Sequence, residues 1–334
     1  MSFFDGDCLV VAEVAQAHDG SLGTAHAYID AIARAGAGAV KFQVHIADAE
    51  SSPQEEWRVK FSPQDETRFD YWKRMEFTEA QWAGLKQHAE VKGLLFLASP
   101  FSVEAVDLLE RIGVKAYKVA SGEVNNPPLL TAIRLTNKPV ILSTGMSDFY
   151  DVDTALMYFG DVAILQCTSK YPVKPEEVGL NMLDAFSKRY QCPVGLSDHS
   201  GAIYPSLAAV TLGAKVLEVH VTFSRDCFGP DVSASITIDE LKQLVDGVRF
   251  IETAITHPIN KYKVAVELEG TRHLFNKSIV AACDIPNGAV IGEQNLTTRK
   301  PGTGIPAAEI YRLIGMQAAR FISKGEFIQE ADLA

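Results

Sequence analysis

Polar residues close a series of short apolar runs along the first two-thirds of the chain, and these are the positions from which chemistry could be done. In order they are Glu13, Lys41 and Gln43, Ser99, Lys118 with Ser121 and Glu123, Ser143, Thr168, Asp198 and His199, and Glu218 with His220. Burying an unpaired charge costs several kcal/mol, so packing alone explains such a repeated pattern poorly. His199 follows the seventh run and His220 lies in the eighth. As neighbouring strands, these would bring two imidazoles together, able to hold a divalent cation with positions left open for substrate and water. Imidazole and oxygen donors suit manganese, with zinc, cobalt or magnesium as alternatives; the rival reading is two hydrogen-bonded core histidines.

Lys41 and Lys118 supply the cations an acidic chain needs to hold phosphate or carboxylate. Ser99, Ser121, Ser143 and Ser197 add donors at neighbouring strand ends. Lys118 also has two other readings: a Schiff-base nucleophile of an imine-forming aldolase, or a structural partner of Glu13 or Glu218. Glu123, just past the fourth run, is placed to move a proton to or from water, or else to cap a loop. His26, His45, His88, His257 and His273 fall in expected loops, helices or linker and read as surface residues. His18, near the mouth, is undecided.

The elements that must position these residues alternate. Apolar runs start at Cys8 (CLVVAEV), Ala39 (AVKFQV), Leu94 (LLFLAS), Ala116 (AYKVAS), Pro139 (PVILST), Val162 (VAILQCT), Cys192 (CPVGLSD) and Val216 (VLEVHVTF). Between them lie stretches with apolar residues at three- and four-residue spacing, several ending on glycine, as helices do. Strand–helix alternation implies parallel pairing through right-handed crossovers. Eight such units predict a (β/α)8 TIM barrel, class α/β, with an open doubly wound sheet as the alternative. Barrel active sites lie at the C-terminal strand ends, where period-two geometry puts Lys41 with Gln43, and Glu218 with His220, on common faces. The long segment from Ile46 to Thr78 is expected to cover one side of the mouth. The barrel is expected over residues 1–257, a polar linker over 258–274, and a compact, mostly β domain over 275–334. That last domain is small enough to need docking onto the barrel or a partner subunit.

The chain has 334 residues, 47% of them hydrophobic, and a formal net charge of −11. Such a charge argues against nucleic acid and against an anionic membrane surface as partners. Five cysteines without CxxC spacing read as reduced thiols. The short apolar run near the N-terminus stops at Glu13, unlike a signal peptide, and no stretch reaches the length of a membrane span. The expectation is a cytoplasmic protein.

The motifs EVAQAHDGSLGTAH, VKFQVH, ASPFS, YKVASGE followed by NNPPLL, STGMS, QCTSKYP, GLSDHS, VLEVHVT, FGPD and RKPGTG run in one order through the chain. In that order and over nearly the whole length, the sequence resembles the sialic acid synthase family, which includes legionaminate, pseudaminate and spore-coat polysaccharide synthases. The C-terminal part looks like their antifreeze-like (SAF) domain. The resemblance implies a metal-dependent condensation of phosphoenolpyruvate with N-acetylmannosamine or a related six-carbon amino sugar, releasing phosphate. By the same resemblance, His199 and His220 hold the metal. Lys41, Ser99, Lys118, Ser121, Ser143, Ser169 and Ser197 hold phosphoenolpyruvate. Glu123, Lys118 and Lys41 act in catalysis, and Glu13, Gln43, Tyr171, Asp231 and Lys300 meet the sugar. A homodimer in which the SAF domain caps the partner's site is implied too. Two positions depart from the family: Ser169 stands where an Asn is usual, and Lys300 where an Arg is usual, keeping the charge without the bidentate fork. The enzymatic alternative is a pyruvate-dependent aldolase, by Schiff base or metal, forming the same carbon–carbon bond.

Overall fold

The computed structural model describes residues 2–334. Eight parallel strands succeed one another: β1 (Leu9–Ala15), β2 (Ala39–Val44), β3 (Leu95–Pro100), β4 (Tyr117–Val119), β5 (Val140–Ser143), β6 (Val162–Cys167), β7 (Val194–Asp198) and β8 (Val216–Thr222). Each pairs in parallel with the next, and β8 returns to β1, with Glu13 opposite His220. That last pairing closes the sheet into the expected barrel. A two-residue β9 (Ile236–Thr237) pairs in parallel with the end of β8.

Helices connect and surround the strands: α1 (Leu22–Ala35), α2 (Ala47–Glu50), α3 (Arg68–Met75), α4 (Glu79–Val91), α5 (Val103–Ile112), α6 (Pro127–Leu135), α7 (Phe149–Leu156), α8 (Asn181–Tyr190), α9 (Tyr204–Thr211) and α10 (Ile238–Thr256). Their ends follow local chemistry. Ser21 and Ser102 accept backbone N–H bonds at the starts of α1 and α5, while Gly36 and Gly113 close the same helices in the left-handed region. The apolar faces of strands and helices form one shell, in which Phe42, Ile29, Trp82, Leu85 and Leu109 are buried. A second cluster fills the barrel interior: Val11, Ala39, Leu97, Ile141, Leu165 and Val216, with Phe4 packed against it. The interior is therefore solid below and polar only toward the C-terminal strand ends.

The chain divides between Thr256 and His257 into two compact units. The second contains α11 (Lys261–Glu267), α12 (Glu269–Phe275) and the antiparallel pair β10 (Ser278–Ala281) and β11 (Leu296–Arg299), around a core of isoleucines such as Ile279, Ile291, Ile322 and Ile328. The segment expected as a polar linker holds the two short helices. Neither buries a residue, so no apolar stripe marked them in the sequence. Among the described residues the five cysteines are unpaired, and no helix is long and apolar enough to cross a membrane.

Candidate active site

A cavity of about 450 Å³ opens at the C-terminal ends of the strands. Gln43, Ser99, Ser121, Glu123, Ser143, Ser169, Tyr171, Ser197 and Asp231 all line it, as do Lys41, Lys118, His199, Glu218 and His220. Strand register explains the convergence. Gln43 is opposite Ser99, and Ser197 is opposite Glu218, so every second side chain of adjacent strands enters the same space. Other polar interruptions serve loops instead. Asp198 accepts the Ser200 backbone N–H at 2.8 Å, and the Thr168 hydroxyl donates to the Glu177 carbonyl at 2.7 Å.

The floor is an alternation of charges. Lys41 is ion-paired with the fully buried Glu13 and lies 3.5 Å from Glu218, and Lys118 lies 3.5 Å from the same Glu218. The structural pairing weighed for these lysines is thus present, yet Lys41 also donates to Ser99 Oγ at 3.1 Å and both lysines line the cavity. Burial disfavours ionisation of Glu218, but Lys118 and Lys41 outweigh it and hold the carboxyl at about 2. Burial pushes the Glu13 carboxyl up to about 7 despite the Lys41 cation beside it. Lys118 is pulled below its usual range by burial, which Glu218 only partly offsets. Glu123, held by the Asn126 amide at 2.7 Å, is raised by burial. Among the described residues, the buried side-chain polar atoms lacking a hydrogen-bond partner belong to Glu13, Glu50, Ser143 and Glu218, and all but Glu13 line this cavity. Unmet polar groups gathered in one place mark a site where something else is to bind.

The two histidines face each other with ring centroids 5.2 Å apart. The Thr168 carbonyl lies 3.0 Å from His199 Nδ1, an arrangement that leaves Nε2 as the free lone pair. Burial, with His199 and Lys41 adding to it, keeps His220 well below its usual pKa and therefore neutral. Two imidazoles are a competent donor set for a divalent cation, and Asp231 stands 3.9 Å from His220 Nδ1. Among the described residues no third His, Cys, Asp or Glu completes a ligand cluster, so water and substrate would fill the remaining positions.

Two further residues were assigned to the sugar. Glu13 reaches the site only through Lys41, and Lys300 is in the second unit, where its ammonium lies 4.9 Å from the Phe275 ring. The segment from Ile46 to Thr78 covers one side of the mouth as expected, but the sequence reading named none of the side chains that it brings there. The segment after β2 brings Trp57, Arg58, Arg68 and Trp72 to the cavity, and the Arg58 guanidinium lies 4.6 Å from the Tyr171 ring and 3.4 Å from Asp231. His45, read as a surface residue, is buried and lines the cavity, because Trp72 and Phe101 close over it. His18 is buried too, against Phe77 at 4.8 Å, with Nδ1 accepting the Gly20 N–H. The length of the segment from Ile46 to Thr78 was the available signal for the wall; nothing in the sequence marked His45.

Comparison with known proteins accords with this geometry. The NeuB family matches residues 28–260 and the SAF domain residues 276–334. The chain is 34% identical over 332 residues to N,N'-diacetyllegionaminic acid synthase of Campylobacter jejuni, covering 96% of this chain and 99% of that protein. It is 33% identical to human N-acetylneuraminate-9-phosphate synthase, covering 97% and 92%. The crystal structure of N-acetylneuraminic acid synthetase from Leptospira borgpetersenii in complex with citrate superposes with a TM-score of 0.70 at 29% identity, over 80% of this chain and 92% of that one. A closed barrel with this polar mouth, followed by a SAF domain and matched end to end by relatives above 30% identity, belongs to the NeuB family.

Proposed function

We propose that the chain is a nonulosonate synthase that condenses phosphoenolpyruvate with N-acetylmannosamine or a related six-carbon amino sugar, releasing phosphate and a nine-carbon 3-deoxy-2-keto acid. The observation that carries the reading is the pair of buried lysines, Lys41 and Lys118, in a chain of net charge −11, exposed to one cavity with serine hydroxyls around them. Together with Ser99, Ser121, Ser143, Ser169 and Ser197 they would hold the phosphate and carboxylate of phosphoenolpyruvate. Gln43, Tyr171 and Asp231 would hold the sugar so that its aldehyde meets carbon 3 of the enol. Water then adds at carbon 2, and the tetrahedral product expels phosphate. Glu123, raised by burial toward the pH at which it works, would exchange the proton with that water. His199 and His220 would hold a divalent cation, manganese before magnesium, cobalt or zinc. When bound, the cation supplies Lewis acidity at the aldehyde oxygen.

The pyruvate-dependent aldolase is favoured by one observation, the lowered pKa of Lys118, which suits an imine-forming amine. Phosphate release from phosphoenolpyruvate separates the two. The acceptor panel is N-acetylmannosamine, its 6-phosphate, mannose, 2,4-diacetamido-2,4,6-trideoxymannose, the isomeric altrose and arabinose 5-phosphate, each with manganese and with chelator. Release with a six-carbon amino sugar, abolished by chelator, is expected. Silence from folded, metal-loaded protein, with inactivation by borohydride and pyruvate, would establish the aldolase instead. Since SAF domains are small for independent stability, we place the enzyme in a homodimer in which Lys300 of one subunit meets the sugar of the other.

A further inference from the structure

We propose that His45 and Glu50 form a selector for the acceptor: one Glu50 oxygen takes a hydrogen bond from a hydroxyl or amide N–H of the sugar, and His45 fixes that carboxylate in place. The proposal rests on the synthase reading.

Both side chains are more than nine-tenths buried and both line the cavity. His45 Nδ1 lies 2.5 Å from Glu50 Oε1. The second oxygen, Oε2, is also buried and has no hydrogen-bond partner among the described residues. A carboxylate oxygen is an acceptor only, and leaving it unmet in the interior is unfavourable, so it is poised for a donor that arrives with a ligand.

The pair is held stiffly. The His45 ring is sandwiched between Trp72, at 4.0 Å and 20°, and Phe101, at 4.5 Å and 14°. It therefore cannot swing without breaking two stacks. Glu50 ends α2, whose first residue Ala47 donates its N–H to Glu76 at 2.8 Å, while Asp48 is paired with Lys73. The helix is thereby pinned to the segment around α3. On its other edge, His45 Nε2 lies 2.9 Å from Gln16 Nε2 and 3.2 Å from Gln43 Oε1.

Chemistry decides which substrate the free oxygen serves. Phosphoenolpyruvate is an anion with no hydrogen-bond donor at neutral pH, and a carboxylate beside it would repel it. The amino sugar carries hydroxyl and amide donors and no net charge. Gln43, the residue that shares His45 with Glu50, lies on the sugar side in the proposed reading. A site that binds a donor through a buried acceptor rejects analogues lacking that donor far more strongly than an apolar pocket rejects a missing methylene.

The test compares Glu50→Gln with the wild type, using phosphoenolpyruvate and whichever of N-acetylmannosamine and 2,4-diacetamido-2,4,6-trideoxymannose the wild type accepts. The expected result is a rise in acceptor KM of about tenfold or more, with phosphoenolpyruvate KM within about twofold and an unchanged melting temperature. His45→Gln should move acceptor KM in the same direction. As a measurement that needs no variant, the wild type is assayed with acceptor analogues in which one hydroxyl or amide hydrogen at a time is removed. One analogue should lose about tenfold or more, and Glu50→Gln should lose little further with that analogue. Unchanged acceptor KM in Glu50→Gln, a shift confined to phosphoenolpyruvate, or a wild type indifferent to every such analogue overturns the proposal while the synthase reading stands. A wild type that releases no phosphate with any acceptor overturns the synthase reading itself, and this proposal with it.

Discussion

Burial sets the protonation of this site one residue at a time. Glu218 lies between two ammonium groups and stays ionised, whereas Glu13, with one lysine partner and no solvent, titrates near neutrality. Both are carboxyls on strands of the same barrel, and only their neighbours separate them. His18 shows the opposite case. Burial, with His45 and Arg74 adding to it, lowers its pKa from 6.5 to about 3. In the unfolded chain the ring takes up a proton near pH 6.5, which the folded protein refuses until far lower pH. Stability from this group is therefore complete above pH 6.5 and is lost as the pH falls below it, by roughly 2 kcal/mol at pH 5. Replacing His18 with Asn, which keeps an acceptor for the Gly20 N–H, should flatten that dependence. Melting temperatures at pH 7 and pH 5 check it: the wild type should drop by several degrees more than the variant, and equal drops would refute the assignment.

At the scale of elements, strand contacts leave little tolerance where β7 meets β8. A Cβ on Gly195 would stand 2.0 Å from the Val216 carbonyl oxygen and 2.6 Å from Leu165 Cδ2, and backbone on an adjacent strand cannot give way as a flexible side chain would. Gly195→Ala is expected to cost about 3 kcal/mol or more, read as a lowered denaturation midpoint or as failure to accumulate in soluble form. The wall from Trp57 to Trp72 is built differently. It has little regular structure before α3 and depends on ties such as Arg74, which binds Asp65 at 2.8 Å and Asp19 at 2.7 Å. A wall anchored by a few side chains can vary without disturbing the barrel, which suits the part of a site that chooses among acceptors.

For the whole molecule, the proposed dimer makes a prediction independent of any single site. If Lys300 serves the partner's cavity, Lys300→Ala and Glu123→Gln should each be nearly inactive alone. Mixed after dissociation and reassociation, they should regain roughly a quarter of wild-type activity, because half the dimers then carry one intact site. Sedimentation should give twice the 36.4 kDa chain mass. Recovery no greater than the sum of the two variants would show that Lys300 does not act across subunits.

Much of this protein was legible in its sequence, for reasons that can be named. Parallel strands covered by helices must be apolar, so LVVAEVA, AVKFQV and VLEVHVT announced themselves, and Glu13, Lys41, Glu218 and His220 stood out because interiors tolerate charge only where it is paired or used. Period two then puts Lys41 with Gln43 on one face of β2. The helices over 261–275 were not legible, since they bury nothing and leave no periodic trace. The count of eight units favoured closure of the sheet, and the pairing of β1 with β8 bears that out. His45 and Glu50 escaped for a different reason. His45 is covered by Trp72 and Phe101, residues distant in sequence, and Glu50 is held by His45; no local pattern encodes contacts that exist only once the chain has folded. Residue type and spacing determined the barrel and the floor of its site. Tertiary structure alone decided which side chains wall it, because that depends on where the segment after β2 comes to rest.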